Sequence, residues 1–116
     1  MKNIRKFYFD TYALIEIGKG NPGYLQYKEN VRAILSGLNL LEFAYVLIKE
    51  GKKEDIVRIF NDYSKFNVDY DNDILIEAAE MKFRHLRERL SFIDCIGYVI
   101  AKRNNAKFLT GDEKFR

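Results

Sequence analysis

The chain has 116 residues, 47% of them hydrophobic, with one Pro, one Cys, one His and a formal net charge of +3. That length suits one domain with its own core; a single Cys excludes an intramolecular disulfide, and one Cys with one His leaves no Cys- or His-rich metal site. No stretch approaches the roughly 18 apolar residues of a membrane span, and the basic start M-K-N-I-R-K-F-Y-F-D has no apolar signal core, so a soluble cytoplasmic protein without a membrane partner is expected.

In chain order, K-F-Y-F-D (6–10) reads as a short strand ending at an acid, and T-Y-A-L-I-E-I (11–17) as a helix stopped by G-K-G-N-P-G. Y-L-Q-Y-K-E-N-V (24–31) has helical character, and R-A-I-L-S-G (32–37) reads as a second strand ended by Gly37. L-N-L-L-E-F-A-Y-V-L-I-K-E-G (38–51) is a helix that Asn39 can cap and Gly51 can close. Ile56, Ile59, Phe60 and Tyr63 recur at i, i+3, i+4 and i+7, an amphipathic helix. N-V-D-Y (67–70) predicts a third strand, and 73–89 a long helix. S-F-I-D-C-I-G-Y-V-I-A-K (91–102) is apolar on almost every face and therefore central, and A-K-F-L-T (106–110) is a last strand ended by Gly111 and Asp112. Short strands alternating with helices predict one α/β domain over 1–116, a short parallel sheet flanked by helices in three layers.

Four carboxylates occupy matching places. Asp10 ends the first predicted strand and Asp112 follows the last, where open α/β sheets form their sites. In N-L-L-E and S-F-I-D, Glu42 and Asp94 follow a capping residue by three positions, close to capping-box spacing. Each acid taken alone therefore also suits a structural role, satisfying a backbone N–H at a positive helix end. Taken together, two strand ends and two helix starts can converge at one sheet edge. Like charges held close cannot all ionise unaided, and a hard divalent cation resolves that conflict; oxygen ligands without His or Cys point to Mg2+ or Mn2+.

The residues that carry this argument also carry a resemblance. F-D-T-Y-A-L (9–14), L-N-L-L-E (38–42), L-S-F-I-D-C-I-G-Y-V-I-A (90–101) and F-L-T-G-D-E-K-F (108–115) follow the order of a PIN domain, and the chain resembles PIN-domain ribonucleases, especially VapC-type toxins of prokaryotic toxin–antitoxin pairs. The resemblance implies a PIN-like three-layer sandwich, Mg2+ or Mn2+, hydrolysis of RNA phosphodiesters, a homodimer and an antitoxin protein that blocks the site. It makes Asp10, Glu42 and Asp94 the core acids and Asp112 the more variable fourth, with Ser91 and Thr110 as supporting hydroxyls. Tyr12 departs from the pattern, standing where a small polar residue is common.

The mechanism so implied is in-line attack of water on an RNA phosphodiester, with Asp10 and Asp94 as direct metal ligands, Glu42 orienting the nucleophile and Asp112 completing a second metal position. Residues 81–116 hold nine Lys/Arg against four Asp/Glu, a net of +5, which leaves −2 for the first eighty. Arg84, Arg87, Arg89, Arg103 and Lys107 from that segment are candidates for holding the RNA backbone; as single residues they equally suit a solvated helix face. Two other patterns are decoys. V-D-Y-D-N-D spaces acids like a calcium loop but has Ile74 where the turn needs Gly, and Cys95 has no His nearby in sequence and reads as core. The alternative from another class is a PIN-like RNA-binding or assembly module without turnover, whose acids persist only as caps.

Overall fold

The computed structural model describes residues 4–27 and 31–110. Three strands, β1 (Arg5–Phe9), β2 (Val31–Ile34) and β3 (Lys107–Leu109), form a parallel sheet of order β2-β1-β3. Five helices accompany it among the described residues: α1 (Thr11–Gly18), α2 (Gly37–Lys49), α3 (Ile56–Tyr63), α4 (Asn72–Arg84) and α5 (Phe92–Arg103). Strand alternation divides the sheet's side chains between two cores. Phe7, Phe9, Val31, Ala33 and Leu109 face α1, α2 and α3, where the predicted stripe Ile56, Ile59, Phe60 and Tyr63 packs. Tyr8, Ile34 and Phe108 face α4 and α5, meeting Ile74, Ala78, Met81, Cys95, Val99 and Ile100. The result is the expected three-layer α/β sandwich, with α5 buried along most of its length.

Several element boundaries differ from the sequence expectation. The cap of α2 is Ser36, not Asn39: the Asn39 amide donates to Ser36 Oγ (3.4 Å), and Gly37 lies inside the helix instead of ending the strand. The extended backbone of Ser36 and its short hydroxyl suit a cap, which releases Asn39 for an interior role. Asn39 Oδ1 accepts from the Ser36 amide (3.2 Å), and its Nδ2 donates to the Phe9 carbonyl (3.1 Å). That bond ties the end of β1 to the start of α2 inside the protein. Asn39→Ala strands the Phe9 carbonyl and the Ser36 amide, and is expected to cost about 2 kcal/mol in urea denaturation.

The predicted strand at 67–70 shrinks to one parallel bridge, Leu35 to Asn67, because Asp71 already caps α4 by accepting from the Ile74 amide (3.0 Å). That capping bond also accounts for Asp71 of the calcium-loop decoy, and Asp73 lies in the first turn of the same helix. The long helix predicted to Arg89 ends at Arg84, and a 3-10 turn (Leu86–Glu88) leads to Arg89 in the left-handed region (φ 54°). Lys82 Nζ donates to the Leu90 carbonyl (2.5 Å) and folds this turn back, so that Leu90 is buried and Ser91 can start α5. Pro22–Tyr27 forms 3-10 turns where a helix over 24–31 was expected; residues 28–30 lie outside the described residues. No helix among the described residues is long and apolar enough to cross a membrane.

Candidate active site

Asp10 directly follows β1 and is the N-cap of α1: the Ala13 amide donates to its Oδ1 (2.8 Å). The side chain is buried, at 4% exposure. Its own amide donates to the Leu109 carbonyl (3.1 Å), which sets Thr110, the residue after β3, beside it at the carboxyl edge of the sheet.

Glu42 stands six residues beyond the true cap Ser36, so it has no part in a capping box. Thr11 Oγ1 donates to Glu42 Oε1 (2.7 Å) and fixes the carboxylate toward α1. Both residues line a groove of about 310 Å³ with Tyr12, Ile15, Tyr45, Val46, Ser91 and Asp94. Asp94 enters it from the first turn of α5 and does sit in a complete capping box. The Ser91 amide donates to Asp94 Oδ2 (3.2 Å), and the Asp94 amide donates to Ser91 Oγ (3.0 Å).

The three acids share a floor. Tyr8 is 1% exposed, and its hydroxyl is 3.0 Å from Ser36 Oγ. Burial pushes its phenol well above the ordinary value; the bond to Ser36 opposes that, while the charges of Asp10, Glu42 and Asp94 add to it. The charges of all three carboxylates thus act in the same direction on this one phenol.

A family model for the PIN domain matches residues 7–116. The chain belongs to the PIN-domain family. Among solved structures it is similar to a toxin–antitoxin complex from Klebsiella pneumoniae, at 17% identity over 93% of this chain and 88% of that one, with a TM-score of 0.71. It is also similar to VapC20 of Mycobacterium tuberculosis, a toxin that cleaves the sarcin–ricin loop, at 18% identity over 94% and 92% of the two chains, with a TM-score of 0.76. No curated protein matches the chain.

The basic residues of this PIN domain divide by position. Arg84 ends α4, 3.8 Å from Glu80, and Arg87 and Arg89 lie exposed in the turn that feeds Ser91 and Asp94. Arg103 lies at the other end of α5, 3.4 Å from Glu77; nine residues from Asp94 is about 14 Å along a helix. Lys6 Nζ, near the start of β1, donates to the neighbouring Asn104 carbonyl (3.0 Å), so Arg103 belongs to the amino edge of the sheet. Lys107 opens β3 opposite Phe7 and lines a separate hollow with Tyr98, Lys102 and Phe108. By chain position, the arginines of the 84–89 segment directly precede Ser91 and Asp94, whereas Arg103 and Lys107 do not.

Sequence reasoning missed Thr11, whose signal is its place directly after Asp10, and Tyr45, which shares the helix face of Glu42 three residues earlier. Cys95 is fully buried behind Asp94, and burial raises its thiol pKa, aided by the Asp94 charge and opposed by Lys82, which keeps it inert core. Among the described residues, no group of three or more Asp, Glu, His or Cys side chains is gathered closely enough to hold a metal by itself, and Asp112 lies outside those residues. The donor chemistry nevertheless fits a hard cation: carboxylates and hydroxyls only, with Glu42 and Asp94 lining one groove and Asp10 buried as the residue before Thr11, which also lines it.

Proposed function

We propose that this PIN domain is a metal-dependent endoribonuclease that hydrolyses RNA phosphodiester bonds as the toxin of a toxin–antitoxin pair. The observation that carries the reading is the groove that Glu42 and Asp94 line together with Thr11, the residue after the buried Asp10 at the carboxyl end of β1. Asp10 and Asp94 would hold Mg2+ or Mn2+, with Asp112 as a further ligand. When bound, the cation supplies an activated water and offsets charge on the phosphoryl oxygens.

The chain's own residues supply the rest. Thr11 takes one oxygen of Glu42, which aims the other to orient the attacking water in line with the scissile bond. Ser91 holds the backbone of Asp94 in place, and Thr110 adjoins Asp10. Arg84, Arg87 and Arg89 hold flanking phosphates without reading sequence. An antitoxin protein that covers the groove, a homodimer and a cytoplasmic location complete the proposal; the toxin–antitoxin complex of the same fold supports the antitoxin, and the sarcin–ricin-loop-cleaving toxin supports an RNA substrate.

One feature favours the non-catalytic alternative, an RNA-binding module: Asp10 and Asp94 both already serve as caps. Cleavage of a mixed RNA with Mn2+ or Mg2+ present and with EDTA, beside calorimetric titration of the metal, separates the two. Metal binding with EDTA-sensitive cleavage is the expected result. RNA binding with neither cleavage nor metal affinity would assign the module role.

A further inference from the structure

We propose that Asn39 is a positioning residue for the acids of this site: its carboxamide replaces one backbone rung between β1 and β2 and so fixes Asp10 against Glu42. The inference rests on the ribonuclease reading and adds to it a residue that acts through others, without touching metal or RNA.

The parallel ladder between β1 and β2 runs from Arg5 opposite Val31 to Tyr8 opposite Ile34. The Asp10 amide points to β3, where it donates to the Leu109 carbonyl, so by alternation the Phe9 carbonyl points to β2. Extending the register by two residues would bring the Ser36 amide to that carbonyl. It does not arrive. The Ser36 amide donates to Asn39 Oδ1 (3.2 Å), and Asn39 Nδ2 donates to the Phe9 carbonyl (3.1 Å). One side-chain amide, 1% exposed, thus stands where a direct bond between the strands is expected, and it satisfies both backbone groups. The two strands part by the width of a carboxamide where α2 begins.

This rung sits beside the chemistry. The Phe9 carbonyl belongs to the peptide that carries Asp10, and that peptide is gripped on both sides, by the Leu109 carbonyl on β3 and by Asn39 on α2. The residue after Asp10 is tied to the same helix, since Thr11 Oγ1 donates to Glu42 Oε1 (2.7 Å). Asn39 and Glu42 are one turn apart on α2, so the two bonds bracket Asp10 between Phe9 and Thr11. Capping does not call for the carboxamide donor, because Ser36 already caps α2. Without that donor, Phe9 loses its tie to α2 and Asp10 can shift relative to Glu42. A misplacement of about 1 Å is enough to lower a rate about a hundredfold.

The test compares Asn39→Ala and Asn39→Leu, the second of which fills the vacated space, with Met81→Ala, a core truncation on α4, which carries none of the acids. All are full chains, and rates are expressed per folded molecule from urea denaturation. Both Asn39 variants are expected to lower kcat about 10- to 100-fold, with KM unchanged because the arginines assigned to RNA phosphates lie on other elements. Mn2+ affinity by calorimetry should fall about tenfold. The Asp10 amide should exchange its hydrogen faster, while the Val99 amide inside α5 keeps its protection. Met81→Ala should lower the urea midpoint and leave kcat and Mn2+ affinity as they are. Wild-type kcat per folded molecule in both Asn39 variants, or an equal loss in Met81→Ala, would overturn the positioning role and leave the nuclease reading standing. If the unaltered protein cleaves no RNA, the nuclease reading fails and hydrogen exchange decides on Asn39 alone. Faster exchange at Asp10 then supports the rung, and unchanged exchange overturns it.

Discussion

Asp94→Asn is expected to lower RNA cleavage by at least about a hundredfold while leaving α5 folded. The substitution separates two roles that the wild-type residue combines. As a cap, Asp94 needs only an oxygen to accept from the Ser91 amide and a backbone N–H to donate to Ser91 Oγ, and Asn provides both. As a metal ligand it needs charge, which Asn lacks. The cost in stability should be confined to the lost interaction of a carboxylate with the helix N-terminus, about 0.3–1 kcal/mol. Ser91→Ala is the mirror image: it removes the hydroxyl from the cap, costs about 1 kcal/mol, and keeps the charge. Cleavage rates set beside urea midpoints for both variants check the pair. If Asp94→Asn cuts RNA as fast as the wild type, the carboxylate is a cap and nothing more.

That two-role question was visible in the sequence, but it was posed at the wrong helix as well as the right one. S-F-I-D has one capping candidate, Ser91, and the structure uses it. In S-G-L-N-L-L-E two residues compete, and Ser36 wins because its backbone is extended while Asn39 is drawn inside by the Phe9 carbonyl. The partner of Asn39 lies 30 residues away, so no local pattern could announce it. The same limit explains the lost strand at 67–70: its β-forming residues are real, but pairing stops at the Leu35–Asn67 bridge and the bond from the Val68 amide to the Leu35 carbonyl (2.9 Å) before Asp71 caps α4. By contrast, the sheet, the two-sided core and the centrality of α5 follow from hydrophobic periodicity, which a single chain carries in full. That Glu42 and Asp94 line one groove was legible only as two helix starts. The bond from Thr11 to Glu42 and the floor made by Tyr8 required coordinates.

Gly97→Ala should be the most damaging glycine-to-alanine change among the described residues. Alanine normally stabilises a helix interior over glycine by roughly 1 kcal/mol, so a glycine at the centre of a buried helix calls for a reason. Here a Cβ would lie 2.6 Å from Tyr8 Cε1, 2.9 Å from Cζ and 3.0 Å from the hydroxyl. The ring cannot yield: it is 1% exposed, its hydroxyl is held by Ser36, and it stacks on Phe108 at 5.7 Å between centroids and 8° between planes. Either α5 lifts off the sheet and carries Asp94 away, or Tyr8 shifts and releases Ser36, the cap of the helix that bears Glu42. Overpacking of this kind costs about 3 kcal/mol, a fall in Tm of roughly 10–20 °C for a domain this size, and the folded fraction should cleave RNA more slowly because its acids are misplaced. Tyr8→Leu removes the clashing ring, so Tyr8→Leu with Gly97→Ala should be less destabilised than the two single changes added together, by more than about 1 kcal/mol. Simple additivity in that double-mutant cycle would mean that the close approach of Gly97 to Tyr8 is not what joins α5 to the floor of the site.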